Sequence, residues 1–224
     1  MSLLTVKDLV FSYRDGDQKR IILDHLNASF DSGKMYSILG ASGSGKTTFL
    51  SLISTLEKIQ EGEIIYNGKN LKEMDHSDYR SHEIAIIFQD YNLIPYLNSY
   101  QNVMLAMDIS KNKKDAYAYL EKVGISKEMS HRKVTKLSGG EQQRVAIARA
   151  LSTNAKIIMA DEPTGNLDKK TGESIVEILK QLAHEEGKCV IVVTHSHEVA
   201  KQSDQILFLD GDKKQFVVKK HEDL

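Results

Sequence analysis

The clearest chemical signal in the chain is a glycine- and serine-rich segment at residues 40–47, GASGSGKT. It satisfies the pattern G-x-x-x-x-G-K-[ST] and lies between a short apolar run and a segment with helical periodicity. The glycines let successive backbone N–H groups point inward at a phosphate, and the following helix adds the positive end of its dipole. We therefore predict a nucleotide-binding P-loop, in which Lys46 bridges the β- and γ-phosphates and Thr47 offers its hydroxyl to Mg²⁺. The residues expected to contact the nucleotide here are Gly40, Ala41, Ser42, Gly43, Ser44, Gly45, Lys46, Thr47 and Thr48.

Two acidic residues, Asp161 and Glu162, follow an apolar run that begins at residue 157. At the carboxyl end of a strand, Asp161 is placed to hold Mg²⁺, and Glu162 lies one residue closer to the phosphates. A carboxylate at that point can orient and deprotonate the attacking water. A single acid at the end of a strand is common and needs no function, whereas a pair downstream of a P-loop favours nucleotide hydrolysis.

A third signal is the segment LSGGEQQR at residues 137–144, which precedes a strongly helical run. Ser138 and Glu141 satisfy the capping-box pattern, so a well-capped helix is the simplest interpretation. That interpretation leaves Gly139 and Gly140 unexplained, because glycine costs helix stability unless the backbone must lie against something. Glycines at a helix N-terminus leave its first backbone N–H groups uncovered by side chains, so that a phosphate can bind there. Since the P-loop already holds the phosphates of this chain's own nucleotide, we expect this second phosphate site to bind the nucleotide of another copy.

The order of these motifs resembles that of the ATP-binding subunits of ATP-binding-cassette (ABC) transporters, and the likeness covers essentially the whole chain. Residues 137–142 resemble the family signature LSGGQ, with Glu141 in place of the usual glutamine. We expect Glu141 to cap its own helix, with ATP-driven dimerisation retained. The resemblance implies that two chains sandwich two ATP molecules head to tail and that hydrolysis at Glu162 lets the pair reopen.

Further site residues follow from the resemblance alone. Gln89 matches the Q-loop glutamine, which senses Mg²⁺ and the γ-phosphate and links to the membrane partner. Asp168 closes the D-loop at 166–168, and His195 matches the switch histidine that contacts the γ-phosphate. Tyr13 lies where the family places the aromatic ring that stacks on adenine, although Phe11 competes for that role. His197 forms a His-x-His pair with His195, but no third metal ligand is apparent, so phosphate contact is preferred for His195.

The implied catalytic set is Lys46, Gln89, Glu162 and His195, and the implied Mg²⁺ ligands are Thr47, Gln89 and Asp161. The segments 88–95 and 161–168 closely resemble the MacB/LolD/FtsE-like branch, which serves FtsX-type permeases; Ala41 replaces a proline common there. The resemblance therefore implies an ATPase that drives a separate permease, docked near residues 91–100, to export a peptide, antibiotic or lipid-linked substrate.

Two other functions stay open. An FtsE-like ATPase would regulate cell-wall hydrolysis through an FtsX-type permease instead of exporting a substrate. A soluble DNA-repair ABC ATPase would carry long coiled coils between the P-loop and the signature. Only about ninety residues separate Thr47 from Ser138, and they show no sustained heptads, which disfavours this second alternative.

The elements that must position these residues alternate between strand and helix. Continuous apolar runs at 84–88, 157–160, 190–193 and 206–209 predict a parallel sheet covered on both faces. A helix is expected from residue 46 to about 59, closed by Gly62, and a hairpin at residues 63–68.

Together with the resemblance, this pattern predicts an α/β P-loop NTPase (RecA-like) core with a small antiparallel β subdomain and an inserted α-helical subdomain. We expect a single domain over residues 1–224. The core is assigned to 1–89 and 152–224, and the helical subdomain to 90–151.

Charge and cysteine content exclude several classes of protein. Thirty basic and thirty-one acidic residues give a net charge of −1, which argues against nucleic acid as a partner. Cys189 is the single cysteine, so a disulfide framework within the chain and a cysteine-based zinc site are excluded. No apolar run approaches the roughly 20 residues of a membrane span. We therefore expect a cytoplasmic chain that lies on the inner face of the membrane through its permease.

Overall fold

The computed structural model describes residues 2–16, 18–110 and 114–223, which form two sheets and two groups of helices. The strands are β1 (Leu4–Asp15), β2 (Gln18–Phe30), β3 (Met35–Leu39), β4 (Glu61–Tyr66), β5 (Lys69–Asn70), β6 (Ile84–Ile87), β7 (Ile157–Asp161), β8 (Cys189–Thr194), β9 (Gln205–Asp210) and β10 (Gln215–Lys219). The α-helices are α1 (Lys46–Ile53), α2 (His76–His82), α3 (Ser99–Ile109), α4 (Ala116–Lys122), α5 (Lys127–Ser130), α6 (Gly139–Ser152), α7 (Lys169–His184) and α8 (His197–Ala200).

A six-stranded sheet in the order β10-β9-β3-β8-β7-β6 forms the centre of the core. Its strands are parallel except β10, which pairs antiparallel with β9 at one edge. Successive residues of β7 alternate between two apolar cores: Ile158 and Ala160 pack on one face, and Ile157 and Met159 on the other. The predicted parallel sheet covered on both faces is therefore confirmed.

A four-stranded antiparallel sheet in the order β2-β1-β4-β5 lies beside this core. Leu9 and Leu23 from its first two strands share an apolar cluster with Phe49 of α1. The predicted hairpin is confirmed, since β4 and β5 pair antiparallel around Asn67 and Gly68, both in the left-handed region. This packing brings the end of the β1–β2 hairpin close to the N-terminus of α1.

Four α-helices, α3 to α6, lie between β6 and β7. Helix α6 packs against α3, α4 and β6, and its Val145, Ile147 and Ala148 are fully buried. Within the described part of this segment the extended pairing is limited to one bridge between Asn98 and Lys133. The assignment of residues 90–151 to a separate subdomain stays a prediction.

The first core helix ends earlier than expected. Helix α1 stops at Ile53, because the Ser54 hydroxyl bonds the Leu50 carbonyl and Thr55 turns the chain with a φ of +57°. Leu56, which lies three residues past this end, is 58% exposed.

Gly62 does not close that helix, so this prediction is wrong. It lies in β4 with a φ of +84°, and a Cβ there would stand 2.4 Å from the Asp8 carbonyl oxygen. The pairing of β1 with β4 shifts register at this point, between Lys7 and Val10. Glycine is required here by a close approach of two strands.

Candidate active site

One cleft at the carboxyl end of the parallel sheet collects most of the predicted site residues. Strand β3 leads into the P-loop, and β7 and β8 end beside it, as is usual for ligand sites of open α/β sheets. The predicted residues that line the cleft are Tyr13, Ser42, Gly43, Gly45, Lys46, Thr47, Thr48, Gln89, Asp161, Glu162 and His195. Gly40, Ala41 and Ser44 belong to the same loop without lining this cleft.

The P-loop is shaped by tight packing at two of its glycines. A Cβ on Gly40 would lie 2.6 Å from the Ser44 hydroxyl, and one on Gly45 would lie 2.9 Å from the side chain of Ile22. Gly45 also has a φ of +107°, a conformation that side chains disfavour. The loop therefore turns sharply into the N-terminus of α1, where backbone N–H groups favour an anion.

Lys46 is held above this loop. Its ammonium donates hydrogen bonds to the carbonyl oxygens of Gly40 at 2.8 Å and of Ala41 at 3.0 Å. The Ser44 hydroxyl is buried and, among the described residues, has no hydrogen-bond partner. The positive charge of Lys46 and the helix N-terminus together form a donor set that suits a phosphate group.

Asp161 ends β7 beside Thr47. Burial raises the pKa of the Asp161 carboxyl, and the neighbouring Glu162 carboxylate raises it further. Lys46 and a hydrogen bond from the Thr47 side chain act in the opposite direction on that pKa. One carboxylate and one hydroxyl at the edge of a phosphate-binding loop are the oxygen ligands that Mg²⁺ prefers, so these residues fit the metal.

Both carboxylate oxygens of Glu162 have partners. Thr194 donates a hydrogen bond from its hydroxyl to Oε2 at 3.1 Å, and Nδ1 of His195 lies 2.8 Å from Oε1. The Glu162 side chain is only 16% exposed, whereas that of His195 is 74% exposed. Glu162 also has a φ of +46°, an unusual backbone conformation at which its carboxylate contacts Thr194, the last residue of β8, and His195, which follows that strand.

Gln89 follows β6 and reaches the loop after Glu162. Its side-chain amide donates to Oδ1 of Asn166 at 3.4 Å, and the Asn166 amide donates to the Gln89 carbonyl oxygen at the same distance. A Cβ on Gly165 would lie 3.0 Å from the Gln89 amide nitrogen. The two segments that the resemblance names as Q-loop and D-loop are therefore in contact within one chain.

The glycine-rich start of α6 lies at a different surface. Ser138, Gly139 and Gly140 line a second depression together with Asn166 and Asp168. No described residue lines both this depression and the cleft around Lys46. The structure thus brings Asp168 to the signature segment and not to the P-loop of the same chain.

The capping role expected for Glu141 is confirmed. The Glu141 carboxylate accepts from the Ser138 N–H at 2.7 Å, and the Ser138 hydroxyl accepts from the Glu141 N–H at 3.4 Å. The N–H groups of Gly139 and Gly140 are not used by this reciprocal pair. They stand at the positive end of a fourteen-residue helix.

Two residues that line the cleft are not predicted by any of the sequence motifs. Arg20 and Ile22 of β2 line it beside Tyr13. The register of the hairpin, which pairs Tyr13 with Arg20, places them there, and that register is seen only in the structure. Tyr13 is 45% exposed and packs edge-on against Phe11, which is buried, so Tyr13 is the ring that a ligand can reach.

A cluster of acidic, histidine or cysteine metal ligands and a membrane-spanning helix are both absent from the described ranges. Across the described ranges, no three His, Cys, Asp or Glu side chains are grouped so that they could hold a metal ion, and His197 begins α8 instead of continuing β8. Within the same ranges, no helix combines the length and apolar character that crossing a membrane requires.

Comparisons with known proteins agree with this geometry. Residues 23–165 match the ABC transporter family. The chain is 46% identical to the uncharacterised ABC transporter ATP-binding protein YclH of Bacillus subtilis, over 91% of this chain and 92% of that protein. It is 41% identical to the lipoprotein-releasing system ATP-binding protein LolD of Desulfotalea psychrophila, over 94% and 98% of the two chains.

A solved structure provides the matching fold. The ATP-binding cassette MJ0796 of Methanocaldococcus jannaschii was determined as a dimer in a post-hydrolysis state with ADP and Pi. It superposes with a TM-score of 0.87 and 36% identity, covering 97% of this chain and 98% of that chain. The chain therefore belongs to the ABC transporter family of ATP-binding proteins, and it is an ATPase that uses ATP with Mg²⁺.

Proposed function

We propose that the chain hydrolyses ATP as one half of a head-to-tail dimer, in which the cleft around Lys46 of one copy closes against residues 138–140 of the other. The observation that carries this proposal is the separation of two complementary half-sites, which share no lining residue among those described. The N-terminus of α6 suits a phosphate, but the P-loop of its own chain lies elsewhere. A second copy provides that phosphate.

Within each half-site the chemistry follows from the residues around Glu162. Glu162 acts as the base that takes a proton from the attacking water, with its carboxylate oriented by Thr194 and His195. Lys46 places its positive charge beside the phosphates, and the second ring nitrogen of the exposed His195 contacts the γ-phosphate. Mg²⁺ held by Thr47, Asp161 and Gln89 would neutralise negative charge on the phosphates. Tyr13 stacks on the adenine ring.

The membrane partner docks in an apolar groove beside Gln89. Ile86 of β6, Phe88 just after that strand, Ala106 of α3 and Ala150 of α6 supply its apolar lining, and Arg80 and Arg149 also line it. Leu105, which precedes the lining residue Ala106 in α3, is an apolar side chain that is 42% exposed. An exposed groove with this lining favours a helix of another protein, and its position links the permease to both Gln89 and α6.

We propose that this partner is an FtsX-type permease and that the pair exports a peptide, antibiotic or lipid-linked substrate. The similarity to a LolD subunit over nearly the whole chain supports this branch. The chain would then lie on the cytoplasmic face of the membrane through its permease, with the groove lying between the core and the helical subdomain of residues 90–151. An FtsE-like role in cell-wall hydrolysis is the second candidate, and identification of the permease distinguishes the two.

The Glu162→Gln variant tests the proposed reaction. We expect ATP binding to be retained and turnover to fall by about 10²- to 10⁴-fold, the range typical for loss of a general base. ATP should then trap a stable dimer, measured by light scattering coupled to size exclusion. The exposed Glu57→Gln serves as the matched control and should behave as the parent protein. A Glu162→Gln variant that hydrolyses ATP at the parent rate would contradict the assignment of the base.

A second pair of variants tests the groove. Ala106→Glu places a charge among the apolar lining, whereas Ala118→Glu places the same charge on an exposed position of α4. Affinity purification from detergent-solubilised membranes, with mass spectrometry of the captured proteins, should recover an FtsX-type permease with the parent chain and with Ala118→Glu only. Equal recovery with Ala106→Glu would place the permease elsewhere, and a permease of another type would refute the assigned branch.

A further inference from the structure

Helix α6 begins with two glycines that no backbone requirement explains. Gly139 and Gly140 are helical residues and neither has a positive φ. In a helix, alanine is more favourable than glycine because its backbone loses less conformational freedom. The two positions are therefore glycine because something occupies the space that a side chain would need.

Two side chains of the same chain occupy that space. A Cβ on Gly140 would lie 2.4 Å from the Cγ2 methyl of Thr171, and a Cβ on Gly139 would lie 2.8 Å from the Tyr91 hydroxyl. Both distances are shorter than nonbonded atoms tolerate. A substituted side chain could fit only if Thr171 or Tyr91 moved away.

Hydrogen bonds restrain the Thr171 side chain and the Tyr91 backbone. The Thr171 hydroxyl donates to Oδ2 of Asp168 at 2.6 Å, and its N–H donates to Oδ1 of the same residue at 3.1 Å. The Tyr91 carbonyl oxygen accepts a hydrogen bond at 3.0 Å from Arg149, which belongs to α6 itself. The Tyr91 backbone, with a φ of +59°, is thus tied to the same helix that its side chain contacts.

We infer that Thr171 and Tyr91 are positioning residues that fix the N-terminus of α6 by packing against Gly140 and Gly139. This inference rests on the proposed function, in which that N-terminus binds the phosphate of the nucleotide held by the second copy. It assigns the need for two glycines to contacts inside the chain instead of to the nucleotide on the second copy. Because Tyr91 follows Gln89 by two residues and Thr171 follows Asp168 by three, both loops of the site set the orientation of α6.

A compensation experiment at Gly140 tests this inference. Gly140→Ala, Thr171→Ser and the double variant are made in a Glu162→Gln background, where ATP-dependent dimers accumulate. Serine at 171 removes the Cγ2 methyl and keeps the hydroxyl that bonds Asp168. We expect Gly140→Ala to weaken the dimer at least about tenfold, Thr171→Ser about threefold, and the double variant to return to the level of Thr171→Ser. Gly139→Ala with Tyr91→Phe forms an independent second cycle.

Thermal melting without nucleotide separates packing from nucleotide contact. If Thr171 blocks the site, Gly140→Ala lowers Tm and Thr171→Ser restores it; if the space were free, alanine would raise Tm. ATP affinity of the monomer, measured with a fluorescent analogue, should stay within about twofold in every variant, because the P-loop is untouched. A double variant that dimerises no better than Gly140→Ala would overturn the inference, as would a raised Tm for Gly140→Ala alone.

If the proposed dimer does not form, the results would differ from those that overturn the packing inference. In that case the Glu162→Gln parent itself would stay monomeric with ATP, whatever residue stands at 140. The melting cycle would still decide whether Thr171 dictates glycine at that position. Recovery of Tm in the double variant would support the packing claim, and its absence would refute it.

Discussion

The hydroxyl of Thr194 donates a hydrogen bond to Oε2 of Glu162 over 3.1 Å, and Thr194 is completely buried at the end of β8. The same hydroxyl accepts a hydrogen bond from the N–H of Ser196 at 3.0 Å. Thr194 therefore connects the carboxylate assigned as the base to the loop that carries His195. Its contribution is orientation, because the other carboxylate oxygen already contacts His195.

Removing the Thr194 hydroxyl should lower turnover while leaving ATP binding intact. Thr194→Val keeps the shape of the side chain and loses both hydrogen bonds, so we expect kcat to fall by about tenfold or more, the usual effect of losing a hydrogen bond to a charged group. Thr194→Ser retains the hydroxyl and is the matched control. Its kcat should stay within about threefold of the parent value. Steady-state ATPase kinetics measure both. Equal kcat for the valine and serine variants would show that the hydroxyl does not orient Glu162.

Replacing Asp161 should stabilise the protein and impair its use of Mg²⁺. Burial, followed by the charge of Glu162, raises the pKa of Asp161 in the folded state. The stability that this group contributes is present below its unfolded pKa of about 3.9 and is lost as pH rises through the raised folded value. At neutral pH the carboxylate is therefore a cost to folding. We expect Asp161→Asn to raise Tm at pH 7 by about 2 °C without nucleotide.

The same variant should lose the extra stabilisation that ATP and Mg²⁺ give together, since it lacks the anionic metal ligand. Melting curves from pH 4 to 8, with ATP alone and with ATP and Mg²⁺, measure both effects. Asp161→Asn should also have a flatter dependence of Tm on pH over the lower part of that range. A fall in Tm at pH 7, or undiminished stabilisation by Mg²⁺, would contradict this account of Asp161.

Two glycines of the antiparallel sheet should differ sharply in their tolerance of alanine. Gly62 and Gly68 have similar φ values, +84° and +81°, but a Cβ meets the Asp8 carbonyl only at Gly62. The left-handed backbone alone costs alanine about 1–2 kcal/mol, which is our expectation for Gly68→Ala. Gly62→Ala adds a steric conflict with a paired strand and should cost roughly 3 kcal/mol or more. Urea unfolding measures the difference, and equal losses would show that the contact at Gly62 relaxes freely.

The parts of the site that could be predicted from sequence are those formed by consecutive residues. The P-loop, the acidic pair at the end of β7 and the capping box of α6 each depend on local backbone geometry, and each element lies where it was expected. The parallel strands were also predictable, because a buried strand needs a continuous apolar run whatever its partners are.

Contacts between distant segments could not be predicted. Arg20 and Ile22 enter the cleft through the register of a hairpin, and a single sequence does not display that register. The end of α1 was misplaced because Ser54 and Thr55 form local bonds that override an apolar periodicity. The glycines of α6 were assigned to a phosphate alone, since Thr171 and Tyr91 lie far away in the chain.

Subunit complementation tests the head-to-tail dimer most directly. Lys46→Ala disables the P-loop half-site, and Ser138→Asp places a negative charge in the signature half-site while keeping an efficient helix cap. Each variant alone should be inactive, because every composite site in its homodimer carries one defect. In an equimolar mixture, heterodimers combine the intact P-loop of one chain with the intact signature of the other.

The account predicts that this mixture regains up to about a quarter of the parent ATPase activity, because half of the dimers would hold one intact site of two. A mixture of Lys46→Ala with Glu162→Gln is the matched control and should stay inactive, since both defects lie in the same half-site and no intact site forms. Recovery in the first mixture and none in the second is the predicted result. No recovery in either mixture, or equal recovery in both, would contradict a site shared between two copies.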